Sequence, residues 1–316
     1  MTRAANTYNG ILPYYKQLGI TSHDAVNDIR KIINQRQVGH TGTLDPRAEG
    51  LLLICLGSAT KVTRFLTGST KTYEAVITLG KSSITFDSEG IDESSPSNPI
   101  PELSAADLNE LMNCFRGKII QKVPIFSAVR FKGKKLYEFA RQGKEVETPS
   151  RKIEIFDISL MKYNEPDLNL RIKCSAGTYI RTIANDIGEK LGCGAYLSTL
   201  KRTQISRIHV DQALHLEDIK KFQGNQKLQS MLLKPEQLLD FGAFIVSEDF
   251  SSKVIDGRDP LKGDIVSLEG EFSSGDQIFL KDKHGNALAV GIAQVSKSAF
   301  DSCENENLFD YLRVLN

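Results

Sequence analysis

A turn that holds a carboxylate is the first place in this 316-residue chain where chemistry is legible. In the run Gly39-His40-Thr41-Gly42-Thr43-Leu44-Asp45-Pro46, two glycines allow close backbone approach and the proline biases Asp45 away from the α region. Asp45 is a candidate functional carboxylate; the competing reading is a turn residue in front of proline. Segment 116–152 offers a different chemistry. Eleven basic side chains, Lys132, Lys134 and Lys135 among them, stand there against three acidic ones, with Phe126, Phe131, Tyr137 and Phe139 interleaved. Such a segment can contact phosphates and stack on bases, or it can be a solvated charged face. The chain has no phosphate loop, no Gly-x-Gly-x-x-Gly, no His-Glu-x-x-His and no Gly-x-Ser-x-Gly. Nucleotide hydrolysis, dinucleotide redox chemistry, zinc proteolysis and hydrolase-type serine catalysis therefore lack support.

The turn continues into Ala48-Glu49-Gly50-Leu51-Leu52-Leu53-Ile54-Cys55-Leu56-Gly57-Ser58-Ala59-Thr60-Lys61, and the whole run resembles the leading motif of the TruB family, the tRNA pseudouridine-55 synthases. Lys71-Thr72-Tyr73-Glu74-Ala75 is similar to the second motif of that family. Gln121, Pro124, Ser127-Ala128 and the stretch Gly133 to Gly143 resemble its RNA-gripping insertion. Cys174-Ser175-Ala176-Gly177-Thr178-Tyr179-Ile180-Arg181-Thr182 resembles the third motif, with Asp186-Ile187-Gly188 and the stretch Ala195 to Thr203 beyond it. The likeness runs in order from residue 10 to about 220, and the tail resembles a PUA module. Two segments depart from the pattern: Tyr15-Lys16-Gln17 stands where the family has Asp-Lys-Pro, and Ile84 stands where it has the first aspartate of Thr-Asp-Thr-x-Asp.

The resemblance implies an enzyme that isomerises uridine to pseudouridine at position 55 in the T loop of tRNA, by base flipping and an aspartate nucleophile. A carboxylate suits that role because it can form a covalent intermediate and still leave. It assigns the nucleophile to Asp45, acting at C1′, at C6 or through a glycal, and pairs Arg181 with it; without that context Arg181 reads as a surface ion pair at a helix start. Tyr73 is placed on the flipped uracil, available for proton movement at C5. Tyr179 and Leu200 wall the pocket or are core packing. His40 stacks in the space the extruded base leaves, and Lys132, Lys134 and Lys135 meet the RNA backbone. The reaction has no net redox change, so no cofactor and no metal is implied. The implied partner is tRNA, through its T arm and, by way of the C-terminal module, its acceptor stem; no membrane and no obligatory protein partner is implied. Two other readings stay open: an RNA-binding or tRNA-folding factor without chemistry, and a guide-RNA-dependent pseudouridine synthase, which would carry longer basic extensions.

The elements that must position these residues are partly visible. Thr21 with Asp24, and Ser104 with Asp107, are capping boxes ahead of helical periodicity at Ala25, Ile29, Ile32 and Ile33 and at Leu108, Leu111 and Phe115. Alternation marks strands at 73–79, 153–156 and 168–173, and Ser88 to Pro101 reads as a surface loop. Helices and strands mix without a βαβ repeat. That predicts an α+β catalytic domain on a mixed, largely antiparallel sheet over 1–240, with the insertion at about 116–152. Short alternating strands after 245 predict a small all-β PUA-like domain over 245–316, a barrel being one way to close it.

Composition agrees with a globular protein: hydrophobic residues make up 40% and charged residues 25%, with no apolar run of membrane-spanning length. The first thirty residues show no secretory pattern, which places the chain in the cytosol by expectation. Five scattered cysteines without a Cys-x-x-Cys pair read as ordinary buried thiols. The formal net charge of +1 conceals an asymmetry, since 1–240 holds 33 basic against 26 acidic residues and 241–316 holds 7 against 13. RNA binding through the basic segment should weaken as salt rises, because released counterions carry part of the affinity. Lys132→Gln, Lys134→Gln and Lys135→Gln together should lower affinity and flatten the log–log salt slope in filter binding; an unchanged slope leaves only a solvated charged face.

Overall fold

The computed structural model describes residues 8–144, 146–224, 226–304 and 307–315. Met1–Thr7, part of the stretch read as lacking a secretory pattern, lie outside the described residues, as do Glu145 of the basic segment and Glu306 of the acidic tail. The chain opens on β1 (Gly10–Lys16) and turns into α1 (Ser22–Ile33), where Thr21 and Asp24 form the expected reciprocal cap. β2 (Val38–His40) and β3 (Ala48–Leu56) follow, with Asp45 in their connection. After α2 (Thr63–Thr67), β4 (Lys71–Leu79) buries Tyr73, Ala75, Ile77 and Leu79 and leaves Glu74 exposed. α3 (Ala105–Asn113) begins on the Ser104–Asp107 box. The insertion then supplies β5 (Gly117–Lys122), a hairpin of β6 (Arg130–Phe131) and β7 (Lys134–Lys135), and α4 (Leu136–Arg141). β8 (Ser150–Asn164), β9 (Asp167–Cys174), α5 (Ile180–Leu191), β10 (Ala195–Ile205) and β11 (Ile208–His209) complete the sheet, and α6 (Leu216–Phe222) and α7 (Gln226–Ser230) follow.

Nine strands among the described residues form one sheet, in the order β1-β3-β10-β4-β9-β8-β5, with β2 beside β3 and β11 beside β10. Only β3 with β10 runs parallel, so the sheet is mixed and largely antiparallel, as the sequence predicts. β4, β9 and β8 each turn an apolar face inward; the outer face of β9 is polar, whereas β8 leaves Phe156 and Met161 exposed. Their inward residues, including Ile77, Leu170, Ile172 and Ile158, pack with Leu108 and Leu111 of α3 and Ile183 and Ile187 of α5. β3 does not alternate, and its position explains why. Leu52, Ile54 and Leu56 face α1 with Ile29 and Ile33, whereas Leu51, Leu53 and Cys55 face the C-terminal module with Phe279 and Val290. A strand covered on both faces reads as a continuous apolar run.

The C-terminal module is a second sheet of β12 (Gly242–Val246), β13 (Ile265–Glu269), β14 (Gln277–Lys281), β15 (Ala287–Ala293) and β16 (Phe309–Val314). Its order is β13-β12-β14-β15-β16, and the two end strands do not pair among the described residues, so it is an open sheet rather than a closed barrel. Each face is buried without closure: Phe244, Ile278, Leu280 and Phe309 point into the module's own core, while Ala243, Phe279 and Val290 meet β3. The cysteine expectation holds in part. Cys55, Cys174 and Cys193 are buried, but Cys114 is exposed and Cys303 intermediate, because Cys114 sits at the C-cap of α3, beyond the inward stripe. No helix among the described residues is long and apolar enough to cross a membrane.

The shared core makes one residue diagnostic. Phe279 is 1% exposed and sits where the two sheets meet, so Phe279→Ala should remove about 3–5 kcal/mol of stability. Because the cavity opens against β3, chemical denaturation should show one destabilised transition for both sheets; loss confined to the C-terminal module would contradict a common core.

Candidate active site

Asp45 stands in a turn that is tied down on several sides. The Ser22 hydroxyl, at the start of α1, donates to the Leu44 carbonyl at 3.1 Å and accepts from the Leu44 N–H at 2.8 Å. Gly19 N–H donates to the Pro46 carbonyl at 2.8 Å, and Ala48 N–H to the Asp45 carbonyl at 3.0 Å. The Arg202 guanidinium, projecting from β10, donates to the carbonyls of Gly42 at 3.3 Å, Thr43 at 3.4 Å and Leu51 at 2.7 Å. Backbone fixed in this way leaves the Asp45 side chain 41% exposed, at the floor of a cleft of about 680 Å³.

Arg181 faces it from the first turn of α5 and is not the surface residue that a helix-start ion pair would be: its side chain is 7% exposed. Its Nε lies 3.6 Å from Asp45 Oδ2 and has no hydrogen-bond partner, while Nη1 lies 3.8 Å from Asp87 Oδ2. Nη2 donates to the Phe126 carbonyl at 2.7 Å, which ties the insertion to the floor of the cleft. Asp87 is itself held. Its Oδ1 accepts from the Thr85 hydroxyl at 2.6 Å and from the Glu89 N–H at 3.0 Å, leaving Oδ2 for the guanidinium. A buried cation is tolerable only when charge and acceptors answer it, and here two carboxylates and a carbonyl do so. The 3.6 Å gap exceeds hydrogen-bond length, so Asp45 is drawn toward Arg181 without being locked to it.

Tyr73, Tyr179 and Leu200 line the same cleft. Tyr73 is 8% exposed; burial raises its phenol pKa, and the adjacent Arg202 charge opposes that rise. Leu200 lines the cleft and packs in the core with Tyr73. Tyr179 is fixed through its backbone: its N–H donates to Gln121 Oε1 at 2.8 Å and its carbonyl accepts from Gln121 Nε2 at 3.0 Å. The Arg151 and Arg181 guanidinium carbons each lie 5.7 Å from its ring centre. Lys71, also in the lining, donates to the carbonyls of Thr67 and Ser69, and burial pushes it down to about 8.

The other expected residues lie around the cleft. His40, at the end of β2, is outside its lining, half-buried, with no hydrogen-bond partner for Nδ1. Lys132 and Lys134 are exposed on the β6–β7 hairpin, whose turn uses left-handed backbone at Lys132 and Gly133, and Lys135 is half-buried beside Tyr137. Tyr137 and Arg141 of α4 do reach the lining. The two departures sit outside the charged centre: Ile84 is 73% exposed, and Gln17 is exposed while its carbonyl accepts from Lys16 Nζ at 2.9 Å. Asp87, Gln121 and Arg202 received no role from the sequence, although each falls inside a motif quoted for the resemblance. Their partners are 58 to 160 positions away, apart from the local contacts of Asp87, so only the fold brings them into view.

The mixed sheet and the module that follows it form a known fold. A chain in the crystal structure of a Cbf5–Nop10–Gar1 complex superposes with TM-score 0.77 at 23% identity, covering 98% of this chain and 86% of that one, a likeness of fold. Residues 30–180 match the TruB family pseudouridylate synthase N-terminal domain, 181–240 the tRNA pseudouridylate synthase B C-terminal domain, and 242–314 the PUA domain. A Listeria monocytogenes protein named tRNA pseudouridine synthase B is 42% identical over 257 residues, 79% of this chain and 83% of that protein. One of the same name from Caldanaerobacter subterraneus is 38% identical over 290 residues, 92% and 96% of the two chains. The chain belongs to the TruB family of pseudouridylate synthases.

The environment of His40 sets its titration. Burial lowers its pKa below the ordinary 6.5, and the nearby charges of Arg202 and His23 act in the same direction. The folded protein therefore binds a proton there less readily than the unfolded chain, and stability falls as pH drops below 6.5 through this group. An NMR titration should place the His40 midpoint below 6.5, and His40→Gln should lessen the loss of stability on acidification. A midpoint at or above the ordinary value would contradict the desolvated ring.

Proposed function

We propose that the chain isomerises uridine to pseudouridine at position 55 in the T loop of tRNA, with Asp45 as nucleophile. The observation that carries this reading is the buried Arg181, which faces Asp45 across 3.6 Å and leaves the carboxylate open to the cleft. In the reaction C1′–N1 breaks, the base turns and C1′ joins C5; N1 gains a proton and C5 gives one up. Asp45 acts at C1′, at C6 or by eliminating a glycal, with the Arg181 guanidinium facing its carboxylate in each route. Tyr73 supports the uracil and lies near the atom that loses its proton, while Tyr179 and Leu200 close the walls. A cleft of about 680 Å³ is ample for one extruded nucleotide. His40 takes the space left in the RNA stack; its lowered pKa suits a neutral stacking ring.

Residues 1–240 form the catalytic unit in this proposal, and the hairpin with Lys132, Lys134 and Lys135 grips the T-arm backbone. Residues 245–316 add contact to the acceptor stem. Relatives named for tRNA support that substrate. A chain that only bound or folded tRNA would need neither a buried Arg181 nor a second carboxylate on it.

Asp45→Asn keeps size and turn hydrogen bonding but replaces an anion with a neutral amide. Filter binding of tRNA should survive, while tritium release from uridine labelled at C5 should fall by several orders of magnitude, each factor of ten being about 1.4 kcal/mol of barrier. Release near the wild-type rate would remove Asp45 as nucleophile, and binding without release by the wild type would leave a tRNA-folding factor.

A further inference from the structure

Arg202 is 1% exposed and is among the largest fully buried side chains of the molecule. Among the described residues no carboxylate lies within ion-pair distance of it. Burying a guanidinium against neutral acceptors alone is unfavourable, so its position calls for a compensating role. Its acceptors identify that role. Nε binds the Leu51 carbonyl of β3 at 2.7 Å, and Nη1 and Nη2 bind Thr43 and Gly42 at 3.4 and 3.3 Å, just ahead of Asp45. Across β10, Arg202 pairs with Gly50 on one side and Tyr73 on the other. The pairing with β3 is so close that a Cβ at Gly50 would lie 2.4 Å from the Arg202 carbonyl, and Gly50 has φ +106°. One residue is thus tied by its side chain to the strand after the Asp45 turn and to the turn itself, and by its backbone to the strand carrying Tyr73.

We propose that Arg202 is a positioning residue for the isomerisation: its guanidinium fork sets the Gly42–Asp45 turn over Tyr73, so that carboxylate and aromatic ring face the same nucleotide. It acts through the backbone and through its fixed charge. The planar fork, which meets three carbonyls at once, is something a lysine ammonium cannot reproduce. The inference rests on Asp45 carrying the reaction, as proposed above.

The experiment compares Arg202→Lys, Arg202→Met and Asp45→Asn in the full chain. It measures tRNA binding, thermal midpoint, and single-turnover tritium release at saturating enzyme. Arg202→Lys keeps a charge but not the fork, and it should lose about 10- to 100-fold in the single-turnover rate, the scale expected for a misplacement near 1 Å. Its tRNA affinity should stay within about threefold of wild type, well under the 1.4 kcal/mol that a tenfold change represents. Arg202→Met should be slower still, so that lysine partly rescues methionine at matched folded fraction. Wild-type single-turnover rates in both variants, or rate losses that merely track the folded fraction, overturn the positioning role. An active Asp45→Asn would instead sink the nucleophile assignment, whatever the Arg202 variants do.

Discussion

Burial of β3 on both faces is the constraint on which the rest of the structure depends. A strand with Leu52, Ile54 and Leu56 on one side and Leu51, Leu53 and Cys55 on the other must be covered twice. α1 supplies one cover and the second sheet the other, through Phe279 and Val290. The Asp45 turn is the lead-in to this strand, so it inherits a rigid end. Ser22 of α1 holds Leu44, and Arg202, from the strand running parallel to β3, holds Gly42 and Thr43. Rigidity at the carboxylate follows from the burial of the strand behind it. The same packing makes the C-terminal module a structural neighbour of the catalytic sheet as well as a surface of its own.

Electrostatics in the cleft are graded by depth and by ligand type. Arg181 is buried but faces two carboxylates, one free to move and one fixed by Thr85 and Glu89. Lys71 and Lys16 are buried against carbonyls, and desolvation pushes each down to about 8. Burial lowers the His40 pKa as well. The Arg181 guanidinium inside the cleft faces the carboxylates, and the exposed Lys132 and Lys134 of the hairpin stand outside it. That division separates holding a polyanion, which needs many solvated cations, from orienting one carboxylate, which needs a single desolvated cation with fixed geometry.

The insertion joins these two functions mechanically. The Phe126 carbonyl accepts from Arg181 at 2.7 Å, and Gln121 clamps both backbone groups of Tyr179, so the segment bearing the hairpin lysines is bonded directly to the α5 end of the active site. Tyr137 and Arg141 extend it into the cleft wall. In the proposed function, RNA held on the hairpin meets the cleft beside Asp45 through an element that Arg181 helps to fix.

Local chemistry by itself determined a good part of this protein. The capping boxes at Thr21 and Ser104, the alternation of β4 and β9, the turn at Asp45-Pro46 and the basic character of segment 116–152 are all written in residues a few positions apart, where helix and strand periodicity and turn chemistry act. The roles of Tyr73 and Arg181 came instead from the resemblance of their ordered motifs to a known family, since periodicity alone reads Arg181 as a surface ion pair. Sheet order, the double burial of β3 and the open form of the second sheet were decided by the tertiary structure, since they depend on which apolar faces meet. So were the second carboxylate on Arg181, the Gln121 clamp and the anchorage of Arg202, whose bond to Leu51 spans 151 positions. A residue's periodicity reveals which side of its own element is buried, but the partner across a sheet or cleft is fixed only when distant strands pack, because hydrogen bonds and ion pairs act over a few ångströms in space, whatever the separation along the chain.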